Sequence, residues 1–282
     1  MPPAKRATPA PRADARDRAL EPALREALAH GGFELHYQPK VLRRGIAFAG
    51  FEALLRWRHP ERGLLPPGQF VPQAERLGLG AALGRWVIEE ACRQMAAWER
   101  EGAGQVRVSV NLSTSQLRDP ALPAQIAESL ARHGLGPERL ELELTEAMLM
   151  EPRRPGEVLA RLRALRNAGA TLAIDDFGSG WTSMEQLKQL PVATLKLDRH
   201  FVQRVDRERR DAELCAGVIA LAHKLGIGVV AEGVESARQA EVLAEGECDQ
   251  FQGFLFGRPQ PGAEAGALAR AALTPRTPPP SS

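Results

Sequence analysis

Cysteine is scarce in this chain: Cys92, Cys215 and Cys248 are the only three among 282 residues, and no two form a CxxC pair. That excludes a disulfide framework and a thiolate metal cluster, and it reads as three reduced, buried thiols in a cytoplasmic protein. Histidine is also sparse, six residues without HxxxH spacing, so a zinc site of the usual kind lacks ligands. No apolar run approaches the roughly 18 residues of a membrane-spanning helix. The opening MPPAKRATPAPRADARDR has no apolar stretch of the secretory kind. Nor does one charge sign dominate: 37 Lys and Arg against 35 Asp and Glu leave a net charge of +2. That balance speaks against a nucleic-acid polymer or an anionic membrane as partner.

What is present is a core-forming composition, 44% hydrophobic and 26% charged. Residues 1–17, rich in Pro, Ala and Arg, and residues 273–282, rich in Pro and Ser, read as disordered tails around one folded unit over 18–272. Inside that unit the hydrophobic period keeps switching. FELHYQP (33–39), IAFAGFEALLRW (46–57), VRVSVNLS (106–113) and LELELTE (140–146) have strand character. So do TLAID (171–175), ATLKLD (193–198), IGVVAEGV (227–234) and CDQFQGFLFG (248–257). Helical patterns separate most of them, among them VLARLRALRNAG ending at Gly169, and SARQAEVLAEG with Ser236 as N-cap. Eight strands alternating with helices over about 250 residues predict an α/β fold, a TIM-like (β/α)8 barrel. A doubly wound open sheet is the second choice. The first two strands are joined by a turn through Arg43, Arg44 and Gly45, too short for a crossover helix, so they must pair antiparallel.

The strand ends carry the polar residues. The second strand delivers Glu52, the third Asn111, the fourth Glu143 and Glu146, the fifth Asp175 and Asp176, the sixth Lys196, the seventh Glu232 and the eighth Gln252. A lone carboxylate inside a barrel would be buried at a cost of several kcal/mol, so this many at the C-terminal face, where barrel enzymes keep their active sites, points to function. Paired aspartates before glycine would by themselves be a turn. Within the full set, Glu52, Asn111, Glu143, Asp175, Asp176 and Glu232 form an all-oxygen donor group suited to hard divalent cations. Two ions sharing one Asp would use six donors better than one ion, and would relieve the repulsion between the adjacent carboxylates. Glu141 reads as structural, and Trp57, Trp86 and Trp98 as packing. The DFG at 176–178 matches a kinase signature, but no G-x-G-x-x-G loop or H-R-D accompanies it, and that reading fails.

The stretches FEALLRWRHP, VSVNLS, ELELTE, IDDFGSG, LKLD, VVAEGVE and QGFLF, in this order, resemble the EAL-domain family over about residues 20–265. The resemblance implies a barrel with one antiparallel strand, two Mg2+ or Mn2+ ions, and hydrolysis of cyclic di-GMP to linear 5′-pGpG by activated water in bacterial signalling. It places Glu52, Asn111, Glu143 and Asp175 on the first ion and Asp175, Asp176 and Glu232 on the second. Lys196 would orient the attacking water, while the residues leave open whether Lys196 accepts a proton, Glu232 does, or, in the simplest case, the water is already a metal-bound hydroxide with neither as a strong base. Gln38, Leu54, Arg56 and Gln252 would meet the substrate or its water. Glu146 and Glu235 would support the ligands, Glu146 by anchoring the loop after DDFG, whose hinges are Gly178 and Gly180. Homodimerisation and a regulatory protein partner follow from the same resemblance. The competing reading is a cyclic di-GMP sensor without turnover, which would lack part of the ligand set; here every position is filled. In the loop, Ser179, Trp181 and Thr182 stand where the family often has Thr, Tyr and Ser.

Overall fold

Strict alternation in VSVN, LELEL and TLKL is unusual for parallel strands covered on both faces, which normally read as continuous apolar runs. The computed structural model accounts for it. It describes residues 15–43, 47–149, 155–178 and 184–273. The expected tails, apart from their innermost residues, lie outside the described residues, as do Arg44, Gly45, Ser179, Gly180, Trp181 and Thr182.

Ten strands are present among the described residues: β1 Phe33–Leu42, β2 Phe48–His59, β3 Gly63–Leu65, β4 Val108–Asn111, β5 Leu140–Thr145, β6 Thr171–Phe177, β7 Thr194–Leu197, β8 Gly228–Ala231, β9 Gln250–Gln252 and β10 Gln260–Pro261. They order as β1-β9-β8-β7-β6-β5-β4-β2, and an additional β1–β2 pairing closes the ring. From β2 round to β9 every pairing is parallel, whereas β1 runs antiparallel to both neighbours. The eight expected strands and the antiparallel start are therefore found, in a closed barrel rather than an open sheet. Two strands escaped the sequence because they are too short to show a period: β3 against the end of β2, and β10 against β1. The helix Ala15–His30 likewise begins inside the stretch expected to be tail.

Closure sorts the alternating residues. Leu140, Leu142 and Leu144 of β5 and Leu195 and Leu197 of β7 are wholly buried on the outer face, under a shell that packs helix Gly80–Arg100 on β4, Pro155–Asn167 on β6, Arg209–Lys224 on β8 and Gly262–Leu273 on β1. The inner face holds Lys40, Ser109, Glu141, Glu143, Thr194 and Lys196: Lys40 donates to Ser109 and Glu141, Thr194 to Glu141, and Lys196 to Glu143. The apolar core is thus the layer between sheet and helices, and the lumen is polar. The three cysteines are free and buried. Among the described residues no helix is long and apolar enough to cross a membrane.

The C-terminal rim is tightly closed where β9 ends. A Cβ on Gly253 would lie 2.0 Å from the carbonyl oxygen of Val234 and 2.3 Å from its nitrogen, backbone atoms that cannot swing away. Gly253→Ala should therefore cost about 1–3 kcal/mol, the usual range for overpacking, read as a lower urea midpoint at unchanged m-value.

Candidate active site

The inner-face alternation brings the strand-end acids to one ammonium. Lys196 of β7 is fully buried, and its Nζ lies 2.6 Å from Glu143 Oε2, 2.7 Å from Glu232 Oε1, 3.0 Å from Asp175 Oδ1 and 3.1 Å from Glu52 Oε2. Four strands, β2, β5, β6 and the end of β8, thus deliver a carboxylate to the same point. Asn111 of β4 joins them, its Nδ2 donating to Glu52 Oε1 at 2.8 Å. From β9, Gln252 Nε2 donates to Glu52 Oε2 at 2.7 Å and to Gln38 Oε1 at 3.1 Å. Gln38 in turn donates to the Gly257 carbonyl at 3.2 Å.

Asp175 and Asp176 need a separate explanation, because neighbours in a regular strand point to opposite faces. The β6–β7 register shifts between Ile174 and Phe177, and Asp176 takes a left-handed backbone with φ 54°. Aspartate is among the few residues besides glycine that adopt this region readily. The twist re-aims the second carboxylate: ligand oxygens of Asp175, Asp176 and Glu232 all lie within 4.8 Å of one another. Directly after it, Gly178 has φ 95°, and a Cβ there would stand 2.2 Å from the Phe201 ring. Its N–H donates to Glu146 Oε2 at 3.1 Å, so the buried Glu146 ties the loop to β5.

Burial and mutual repulsion govern the charges. Burial works against the Lys196 ammonium, but Glu143, Glu52, Glu232 and Asp175 outweigh it and hold its pKa well above the ordinary lysine value. Burial also opposes ionisation of Glu52, where Lys196 and the Gln252 amide prevail and keep the carboxyl low. Glu143 goes the other way, pushed up by burial and by the Glu52 charge. Two like charges sharing one cation split in this manner. Burial, with Asp175 beside it, raises Glu232 despite the pull of Lys196. Asp176 is pushed up to about 6 by burial and by the Asp175 and Asp198 charges.

Two buried oxygens, Glu143 Oε1 and Asp175 Oδ1, accept no hydrogen bond; the 3.0 Å approach of Lys196 to the latter is an ion pair without hydrogen-bond alignment. Crowded carboxylates, raised pKa values, unbonded anionic oxygens and an all-oxygen donor set together fit a divalent cation of the Mg2+ or Mn2+ type.

Above these groups lies a cavity of about 500 Å3, lined at its floor by Glu52, Asp175, Asp176 and Glu232 and at its sides by Gln38, Leu54, Glu235, Gln252, Asp198 and Phe254. Of the expected substrate contacts, Arg56 is placed differently: its Nη1 donates to the Leu55 carbonyl at 2.9 Å, and it is not among the cavity-lining residues. Glu235 is exposed at the rim, its N–H donating to Gln239 of the following helix. Sequence reasoning passed over Asp198, Arg199, His200 and Phe254, all on the cavity wall. Asp198 ends the LKLD strand and was open to the same strand-end rule that found the others. It also N-caps the short helix Arg199–Val202. Nothing periodic marks Arg199, His200 or Phe254.

Comparison with known proteins agrees with this geometry. The EAL domain model matches residues 21–259. The bifunctional diguanylate cyclase/cyclic di-GMP phosphodiesterase MucR of Pseudomonas aeruginosa is 43% identical over 241 residues, 86% of this chain and 35% of that protein. The cyclic di-GMP phosphodiesterase NbdA of the same organism is 40% identical over 252 residues, 89% of this chain and 32% of NbdA. The chain thus spans about a third of the length of these curated relatives. The solved PaMucR phosphodiesterase, a c-di-GMP complex, superposes with a TM-score of 0.81 at 42% identity, covering 88% of this chain and 99% of that one. With the match running over most of the folded barrel, the chain belongs to the EAL-domain family.

Proposed function

We propose that this chain hydrolyses cyclic di-GMP to linear 5′-pGpG with two Mg2+ or Mn2+ ions, in the cytoplasm, as a homodimer open to a regulatory protein partner. The observation that carries the reading is the charge of the cavity floor. Glu52, Asp175, Asp176 and Glu232 present carboxylates to a cavity of about 500 Å3, and a cyclic dinucleotide brings two more negative charges. Such a floor repels its substrate unless cations intervene. The relatives support the substrate: MucR and NbdA are named for cyclic di-GMP phosphodiesterase activity.

Glu52, Asn111, Glu143 and Asp175 would hold one ion, and Asp175, Asp176 and Glu232 the other. When bound, such a pair offsets charge developing on the phosphate and lowers the pKa of the attacking water. The protein's own groups do the rest. Lys196 keeps four carboxylates at fixed spacing before any ion arrives. Glu232 lines the cavity and would itself hold an ion, so the simple case is a water already acidified by the cations, with neither Glu232 nor Lys196 needed as a strong base. Gln252 Oε1, buried and without a hydrogen-bond partner, is an acceptor at hand for water. The sensor alternative finds no support in the acid set, which is complete.

Purified protein with Mn2+ should convert cyclic di-GMP to 5′-pGpG on a chromatogram, and EDTA should stop it; binding without product in the presence of Mn2+ would instead make the chain a sensor. Glu52→Ala should reduce turnover to background with an unchanged circular dichroism spectrum, and Glu146→Ala should cost about 10–100-fold, as for groups that orient metal ligands.

Asp176 offers a test with the sign worked out. Its pKa is raised from 3.8 to about 6, so across that window the folded chain holds the proton more tightly than the unfolded one, and its contribution to stability declines as pH rises. In EDTA, Asp176→Asn should therefore melt above wild type at pH 7, with the gap closing towards pH 4. Mn2+ should raise the wild-type midpoint at pH 7 and raise that of Asp176→Asn by less, because the ion held by Glu52, Asn111, Glu143 and Asp175 does not use Asp176.

A further inference from the structure

Beneath the mouth the polar lumen continues towards the opposite end of the barrel. There Glu141 and Glu143, two residues apart on β5, face the same interior. Lys40 reaches between them from β1, three strands away around the ring. Its Nζ donates to Glu141 Oε1 at 2.9 Å and to Ser109 Oγ at 3.0 Å, and stands 3.7 Å from Glu143 Oε1. That Glu143 oxygen accepts no hydrogen bond, while the other, Oε2, meets Lys196 at 2.6 Å. Glu141 is fixed in turn by the Thr194 hydroxyl, which donates to its Oε2 at 2.8 Å. Charge therefore alternates up the barrel: Glu141, Lys40, Glu143, Lys196, and then the acids of the mouth.

The geometry points to Lys40 as a positioning residue, one that holds the Glu143 carboxylate from below so that it stays in place as a ligand for a divalent cation at the mouth. Lys40 cannot touch substrate; it acts through Glu143. Two features distinguish this from simple neutralisation of Glu141. Lys40 is centred by Ser109 as well as by Glu141, and its remaining approach is to a carboxylate oxygen that no other donor serves. Taking away only the ammonium leaves the partly buried Glu141 and the fully buried Glu143 on one strand face without the cation between them, an unfavourable arrangement. Removing Lys40 and Glu141 together withdraws one charge of each sign and leaves Glu143 with Lys196.

This inference rests on the two-ion reading above, and its readout is Mn2+ binding rather than hydrolysis. Mn2+ affinity would be measured by calorimetry or electron paramagnetic resonance on wild type, on Lys40→Gln, which keeps an N–H donor for Glu141 but loses the charge, and on Lys40→Met/Glu141→Leu. Thermal midpoints in EDTA would be recorded alongside. Lys40→Gln should bind Mn2+ about 10–100-fold more weakly, the range for groups that orient ligands, and the double variant, which relieves Glu141 of its charge but still leaves Glu143 unheld from below, should bind as weakly as the single one. Wild-type Mn2+ affinity in Lys40→Gln, whatever its stability, would overturn the inference, as would a double variant restored to near-wild-type affinity, which would reduce Lys40 to a counter-charge for Glu141. If Lys40→Gln does not fold, the double variant decides, with weakened Mn2+ binding in a folded protein as support and near-wild-type binding as refutation. A wild type that binds Mn2+ but leaves cyclic di-GMP intact would defeat the functional proposal and leave the role of Lys40 standing; a wild type that binds no Mn2+ would overturn both.

Discussion

One ammonium surrounded by four carboxylates is the constraint around which this barrel is organised. Lys196 contacts Glu52, Glu143, Asp175 and Glu232 at 3.1 Å or less. Each ion taken out of water costs several kcal/mol even after relaxation, and a single positive charge cannot offset four negative ones. The arrangement is therefore poor as a device for stability. It makes sense as a device for preorganisation: the acids are already gathered, short of positive charge, and divalent cations would complete the balance.

Accommodating that cluster dictates how the rest of the chain is used. A barrel lumen is ordinarily filled by layers of branched apolar side chains. Here the lumen carries Lys40, Ser109, Glu141, Glu143, Thr194 and Lys196, so cohesion has to come from the outer face of the sheet. Leu142, Leu144, Ile174, Leu195 and Leu197 are completely shielded there, each contributing about 1.5–3 kcal/mol by burial. Stability and chemistry are thus separated by the strand period: every second residue serves the shell and its neighbours serve the site.

At the mouth this division meets its limit. Placing Asp175 and Asp176 together requires a break in the β6–β7 register and a left-handed aspartate, a conformation that persists where surrounding structure imposes it. Glu146, holding the Gly178 N–H, and Phe201, filling the space a side chain on Gly178 would need, supply that imposition. Strain, repulsion and the raised pKa of Asp176 gather at this one strand end, which is where function and stability oppose each other.

Much of this was legible in the residues themselves. LELEL, VSVN and TLKL announce strands through period two, and polar residues at successive strand ends announce a site, because both signals are local and repeat along the chain. The link between the first two strands, too short for a helix, was enough to make them antiparallel. Other features depend on residues far apart in sequence. That the alternation means a polar lumen rather than a wet outer face is decided only when β1 pairs with both β2 and β9 and closes the ring. Lys40 follows FELHYQP with nothing in the sequence to mark it, until closure places it against Glu141, 101 positions away. Arg56, expected to face substrate, instead turns its guanidinium to the Leu55 carbonyl. Glu52 and Lys196 have the right chemistry anywhere, but 144 residues separate them, and only the barrel brings them to 3.1 Å. The sequence by itself determined the elements, their order and the donor chemistry, since these follow from residue type and local period. Which face is inside, which acids share a cation and how Asp176 is turned were decided by tertiary structure, because ring closure and backbone twist are properties of the assembled sheet.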